Sequence, residues 1–265
     1  MPHAERQPRV GLFVTCLADM FRPTVAFATV RLLEQAGCIV EVPEKQTCCG
    51  QPAFNSGDRN TTRDIAKMTI EAFDGYEYVV GPSGSCIGML HYYVDLFDEG
   101  DPWKQRAEDL KARAFEITSF LVDKVDFDQI SAQFDGTITY HDSCSGLRQL
   151  GVKQQPRKLL SKVDNLELTE MEEAETCCGF GGTFCVKYPD ISNRMVSNKT
   201  EYISESGADT LVGGDLGCLL NMAGKLKREG KTVEARHVVE ILAGMLDQPA
   251  IGEADADKYA LAQKV

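Results

Sequence analysis

The 265-residue chain has no long apolar run, no basic run and no dinucleotide fingerprint of the form Gly-x-Gly-x-x-Gly. Each absence excludes something. A membrane helix needs about 20 consecutive apolar residues, and no basic segment followed by an apolar stretch marks the N-terminus as a leader. The expectation is a soluble, cytoplasmic protein with no membrane span. Basic residues number 28 against 40 acidic, for a formal net charge of −12, and no basic patch interleaved with aromatics could follow a phosphate backbone, which argues against nucleic acid as a partner. No nicotinamide or flavin motif is present to take up a hydride. The single tryptophan, Trp103, reads as a packing anchor.

Cysteine, by contrast, is abundant: ten residues, eight of them in an order that occurs twice. Cys16, the pair Cys48-Cys49 with Gly50, and Cys86 are followed by Cys144, Cys177-Cys178 with Gly179, and Cys218. The second set trails the first by 144 − 16 = 128, 177 − 48 = 129 and 218 − 86 = 132 positions, agreement that points to an internal duplication. The chain therefore divides into a first cysteine-rich domain, residues 1–132 with a helical connector, and a second, residues 133–265 with an acidic tail. A secreted disulfide framework is the wrong reading, because that economy belongs to small domains without a core, and adjacent cysteines pair only through a strained ring. Thiolates are soft ligands for iron-sulfur clusters and zinc, so two sets of four imply two metal sites.

Local patterning alternates strands and helices. Arg9 to Thr15 and Gly136 to Tyr140 read as strands ending just before Cys16 and Cys144; Ile39 to Val42, Tyr76 to Val80 and Thr210 to Val212 read as further strands. Helices are expected over Pro23 to Gln35, stopped by Gly37, and over Asp58 to Phe73 and Asp190 to Glu205. In the connector, one helix should begin at Asp101-Pro102 and another should cover Phe115 to Val125; the tail from Gln248 to Val265 should fray. The fold class is α/β: two duplicated domains related by a pseudo-twofold, each a mainly parallel sheet flanked by helices. Ligand sites of such sheets lie beyond the carboxyl ends of the strands, which puts each cysteine set at one rim.

Gly50 and Gly179 free the turn after each pair, and Gly179-Phe180-Gly181-Gly182 offers amides that could donate to cluster sulfur at the second set. His141 and Asp142 precede Cys144 and either orient it or are satisfied by backbone; His3, His91 and His237 have no comparable neighbours. Cys38, in an apolar run, reads as a small hydrophobe, and Cys185 as either a second-site contact or a structural thiol.

The order Cys-x31-Cys-Cys-Gly-x32-Ser-x2-Cys, then Cys-x32-Cys-Cys-Gly-x35-Asp-x2-Cys, resembles the twin cysteine-rich (CCG) domain family over residues 9 to 246. That family includes the cysteine-rich subunit of heterodisulfide reductase, the iron-sulfur subunits of glycolate oxidase and anaerobic glycerol-3-phosphate dehydrogenase, and a group of lactate-utilisation proteins. The stretches Tyr140 to Val152, Cys177 to Phe184 and Val186 to Ser192 are most similar to the lactate-utilisation group. The resemblance implies an iron-sulfur electron-transfer subunit of a complex oxidising L-lactate to pyruvate, not an autonomous enzyme, working beside two other lactate-utilisation proteins of which at least one is of ferredoxin type. It also implies two [4Fe-4S] clusters, one on Cys16, Cys48, Cys49 and Cys86 and one on Cys144, Cys177, Cys178 and Cys218.

One departure matters. The heterodisulfide reductase subunit has a fifth cysteine in each site where Ser83 and Asp215 stand here, so its noncubane cluster does not carry over; Ser83 and Asp215 read first as turn or helix-cap residues and second as oxygen ligands. No Cys-x2-Cys-x2-Cys-x3-Cys-Pro run is present, so electrons need another protein to travel onward. The rival readings are a disulfide-reducing catalytic subunit and a zinc-stabilised interaction module.

Overall fold

The computed structural model describes residues 7–253. Val10 and Leu12 of the first strand, and Val79 and Val80 of its neighbour, are completely buried, the signature of a parallel sheet covered on both faces. In the first half β1 (Arg9–Leu12) lies between β2 (Ile39–Glu41) and β3 (Tyr78–Gly81), with β4 (Ala114–Glu116) beyond β3. In the second, β5 (Gln133–His141) lies between β6 (Asp164–Leu168) and β7 (Thr210–Gly213), with β8 (Glu234–His237) beyond β7. Every pairing is parallel, and the orders β2-β1-β3-β4 and β6-β5-β7-β8 match strand for strand.

The expected helices form: Pro23–Gln35, ended by the left-handed Gly37; Arg59–Ala72, whose first turn is capped by the Asp58 carboxylate accepting from the Thr61 amide; and Pro189–Glu205. Three strands and part of the tail differ from expectation. Residues 114–116, expected to lie in or beside a connector helix, are instead β4; helical structure begins only at Ile117 and runs to Lys124. Ala114 and Glu116 are buried at the sheet edge, where main-chain pairing with β3 outweighs the local helical pattern. The short strands β6 and β8 carry no clear alternation. The tail is packed at least to Ile251, which is buried and donates its amide to Ala235 O at 2.8 Å; residues 254–265 of the stretch expected to fray, like His3, fall outside the described residues.

The two halves clasp each other reciprocally. The helix after β8 (Val238–Leu242) packs on Pro23–Gln35 of the first half, and the helical segment after β4 packs on Gln154–Leu160 of the second. Helix Gly84–Tyr92 likewise meets Cys144–Leu150, and Leu216–Arg228 meets Cys16–Phe21. One apolar cluster runs through both halves, from Leu12 and Leu32 to Ile138 and Leu219. Among the described residues no helix is long and apolar enough to cross a membrane.

Candidate metal centres

In both sheets the chain crosses over in opposite directions from the first strand, so the switch point lies between β1 and β3 and between β5 and β7. Crevices open at the carboxyl ends of strands at such points. Cys16 opens the helix following β1, and Cys86 is the third residue of the helix following β3. Cys48-Cys49 comes over the same rim on the loop after β2. There Gly50 adopts φ 82°, and an added Cβ would lie 3.2 Å from Ile65. The Tyr93 hydroxyl pins the loop by donating to Cys49 O at 2.8 Å.

The four sulfurs converge. Cys16 Sγ is 3.9 Å from Cys48 Sγ, and donation from the Cys16 and Cys49 thiols lowers Cys48 to about 3. Their partners move the other way: Cys16 rises because its proton is held against Cys48 and because it is buried, and Cys49 because it donates to Cys48 and Cys86. A cavity of about 130 Å³ opens on these sulfurs. Its far wall belongs to the second half: Phe180, Gly182, Thr183, Asp215, Leu216 and Gly217. Thr15, immediately before Cys16, holds φ 73° and ψ 137°, a strained conformation for a β-branched residue.

The second set repeats the plan in a drier setting. Cys144 begins the helix Cys144–Leu150, Cys218 is the third residue of Leu216–Arg228, and Gly179 at φ 83° turns the loop after Cys177-Cys178. Here a Cβ would strike Ser192 O at 2.8 Å. Asn221 pins the loop through Cys178 O at 2.9 Å, as Tyr93 does in the first half. Donation from Cys144 and Cys178, with the Gly179 amide at 3.4 Å, lowers Cys177 to about 2. Cys144 and Cys178 rise as its donors. In Cys218 the bond from Cys178 lowers the thiol, but burial and the Asp215 carboxylate outweigh it.

His141 belongs to this second group. It is 1% exposed, neither ring nitrogen has a hydrogen-bond partner among the described residues, and a ring nitrogen lies with Cys178 Sγ and Cys218 Sγ so that all three atoms fall within 4.8 Å of one another. The nearby Ala174 carbonyl is already taken by the Asp142 amide at 3.2 Å and Lys199 Nζ at 2.9 Å. Burial first, then the Lys199 cation, lowers His141 to about 3 and keeps the ring neutral. Burial also lowers Lys199, to about 8.

The flanking residues divide. Asp142 turns away from the sulfurs and binds Arg157 through two contacts of 2.9 Å, so it fixes the strand end. Ser83 caps its helix by accepting from the Cys86 amide at 3.3 Å, whereas Asp215, at the matching position, does not cap its own helix and crosses to accept from Ser85 N at 2.9 Å and Ser83 Oγ at 3.3 Å. Of the extra glycines of the second loop, Gly182 is displaced from expectation, since it lines the cavity of the first set. Cys185 directs its thiol at Gly182 O, 3.7 Å away, outside the group around Cys178, and Cys38 is buried in the core. His91 and His237 bond to Ala114 O and Pro82 O at 2.9 and 3.1 Å. Both are structural. The cross-half contacts of Asp215 and Gly182 have no sequence signal, because they depend on how the halves dock.

The family model described as a cysteine-rich domain (CCG) matches twice, over residues 10–91 and 138–223. Lactate utilization protein A of Halalkalibacterium halodurans is 49% identical over 234 residues, covering 88% of this chain and 96% of that protein. The chain belongs to the lactate utilization protein A family. Two more members, from Oceanobacillus iheyensis and Macrococcus caseolyticus, are 49% and 47% identical over 88% and 90% of the chain and 96% and 98% of their own length. Among solved structures, a hypothetical protein from Helicobacter pylori shares the fold, with a TM-score of 0.64 at 12% identity, and the chain spans about half of it (51%) while being covered over 97% of its own length.

Proposed function

We propose that the chain is the iron-sulfur electron-transfer subunit of a cytoplasmic complex that oxidises L-lactate to pyruvate. One [4Fe-4S] cluster would sit on Cys16, Cys48, Cys49 and Cys86, the other on Cys144, Cys177, Cys178 and Cys218. The observation that carries this reading is the gathering of two complete four-thiol sets at two equivalent sheet switch points, in a chain whose relatives are named for lactate utilization. The donor set fits the group: soft ligands, one sulfur of each set favouring the thiolate, and loop glycines where a Cβ would intrude. When bound, such clusters take up and release single electrons. The chain's own residues hold, orient and desolvate them.

Oxidation of lactate to pyruvate releases two electrons and two protons, and no residue set of this chain resembles a hydride-accepting cofactor site. Two other lactate-utilisation proteins, at least one of ferredoxin type, would supply that step and the onward path. The test is purification without oxygen followed by iron, sulfide and zinc analysis, then L-lactate turnover with a dye acceptor. We expect brown protein containing iron and sulfide, no turnover by the chain alone, and turnover once the partners are added. Colourless zinc protein, or vigorous turnover by the isolated chain, would sink this reading.

A further inference from the structure

The two centres are not chemically equivalent. Cys16 and Cys144 correspond, so Phe13 corresponds to His141, three residues earlier in each half. Sheet register agrees: His141 pairs with Gly213 of β7, and Phe13, one residue past the Leu12–Val80 pair, stands level with Gly81 of β3. Both side chains are buried. At the first set the position is hydrocarbon, packed 5.6 Å from the Phe73 ring; at the second it is an imidazole with two unpartnered nitrogens among thiols. Burying a polar group without a hydrogen-bond partner is costly, so an orphaned ring is retained only where something else offsets it.

We propose that His141 is a direct nitrogen ligand at the second centre, taking the place of one of the four thiolates assigned to it above, so that the centre is a mixed thiolate-imidazole site that keeps Cys178 and Cys218 while the first stays all-thiolate. Imidazole suits iron and zinc alike, and the ring is placed among soft donors, with Asp142 and Arg157 fixing the strand end beside it. Among the described residues neither ring nitrogen meets a carbonyl or carboxylate in hydrogen-bond geometry; the nearest, Ala174 O, lies close enough to act weakly on the ring but already accepts from Asp142 N and Lys199 Nζ. The assignment rests on the proposed metal centres but does not depend on which metal fills the second.

The test uses the full-length protein, purified without oxygen and labelled with 15N-histidine. Pulsed electron paramagnetic resonance on the reduced protein, and X-ray absorption at the edge of whichever metal is bound, both report a coordinated imidazole. We expect a histidine-nitrogen coupling in the wild type that persists in Cys49→Ala, where the first set is broken, and disappears in His141→Phe, which copies the first half. His141→Gln guards against misfolding of the bulkier variant and should also lose the coupling. A sulfide-containing iron protein without histidine coupling or imidazole scattering would overturn the proposal and leave the cluster reading intact. Imidazole scattering at a zinc edge without sulfide would overturn the cluster reading and support His141.

Discussion

Cys49 is the most enclosed sulfur of the first set and donates to both Cys48 and Cys86. Replacing it with alanine should empty the first centre only. About half of the iron and sulfide should be lost, with ~4 irons retained at the second set, since a [4Fe-4S] cluster uses four thiolates; full retention of iron by Cys49→Ala would remove Cys49 from the ligand set. Glu116 offers a different handle. It is fully buried, its Oε2 accepts from the Thr118 amide at 2.8 Å, and its Oε1 has no partner among the described residues. Burial raises its carboxyl to about 7 despite those bonds. Above the ordinary value of 4.5 the unfolded chain loses this proton while the folded chain keeps it, so folding stability should fall as pH rises from 4.5 to about 7 and level off beyond. The swing is on the order of 3 kcal/mol. Glu116→Gln, which keeps an acceptor for Thr118, should flatten this segment in denaturant titrations run across that pH range; an unchanged slope would mean that Glu116 is not its source.

At the scale of elements, the Cys-Cys-Gly loops rest on one glycine each, but the two are not equally constrained. Both have φ near +80°, which costs a residue with a side chain about 1–2 kcal/mol. Gly50 faces only the movable Ile65 side chain at 3.2 Å, whereas a Cβ on Gly179 would lie 2.8 Å from the backbone oxygen of Ser192. Gly179→Ala should therefore be the more damaging, by roughly 2 kcal/mol or more against about 1 for Gly50→Ala. Thermal melting should rank the variants in that order, and iron analysis should show the second centre depleted in Gly179→Ala. The reverse order would show that helix Pro189–Glu205 yields more easily than Ile65.

At the scale of the whole molecule, stability is shared across the halves. Glu240 is fully buried and reaches back to Arg22 at 2.7 Å, while its other oxygen accepts from the His237 amide at 3.2 Å. Arg22 also donates to Pro249 O at 2.6 Å. Breaking a buried pair by removing one partner typically costs 3–5 kcal/mol, a large share of the net stability of many domains. Glu240→Ala should lower the melting temperature of the entire chain as one transition, because the helix it anchors packs on Pro23–Gln35. Replacing both partners, as Arg22→Met with Glu240→Leu, should recover much of the loss. Two separate calorimetric transitions in the wild type would contradict this shared core.

The duplication, the parallel α/β class and the recurring order of eight cysteines were all legible in the unfolded chain, because residue spacing and strand-ending motifs are local and are read in the order the chain is written. Ser83 was legible as a cap for the same reason. The strand β4 was not: Ala114 to Glu116 becomes a strand only because β3 offers an edge, and nothing within the segment encodes that neighbour. The centres divide similarly. Adjacency in sequence suggested that Asp142 and Gly182 serve the second set, but Asp142 is claimed by Arg157 and Gly182 by the first half's cavity. It took the docking of the halves to bond Asp215 to Ser85, and the convergence of β5 with the cysteine loop and the helix after β7 to leave His141 among sulfurs with no other partner. Those are long-range packing outcomes, set by which surfaces must be buried together.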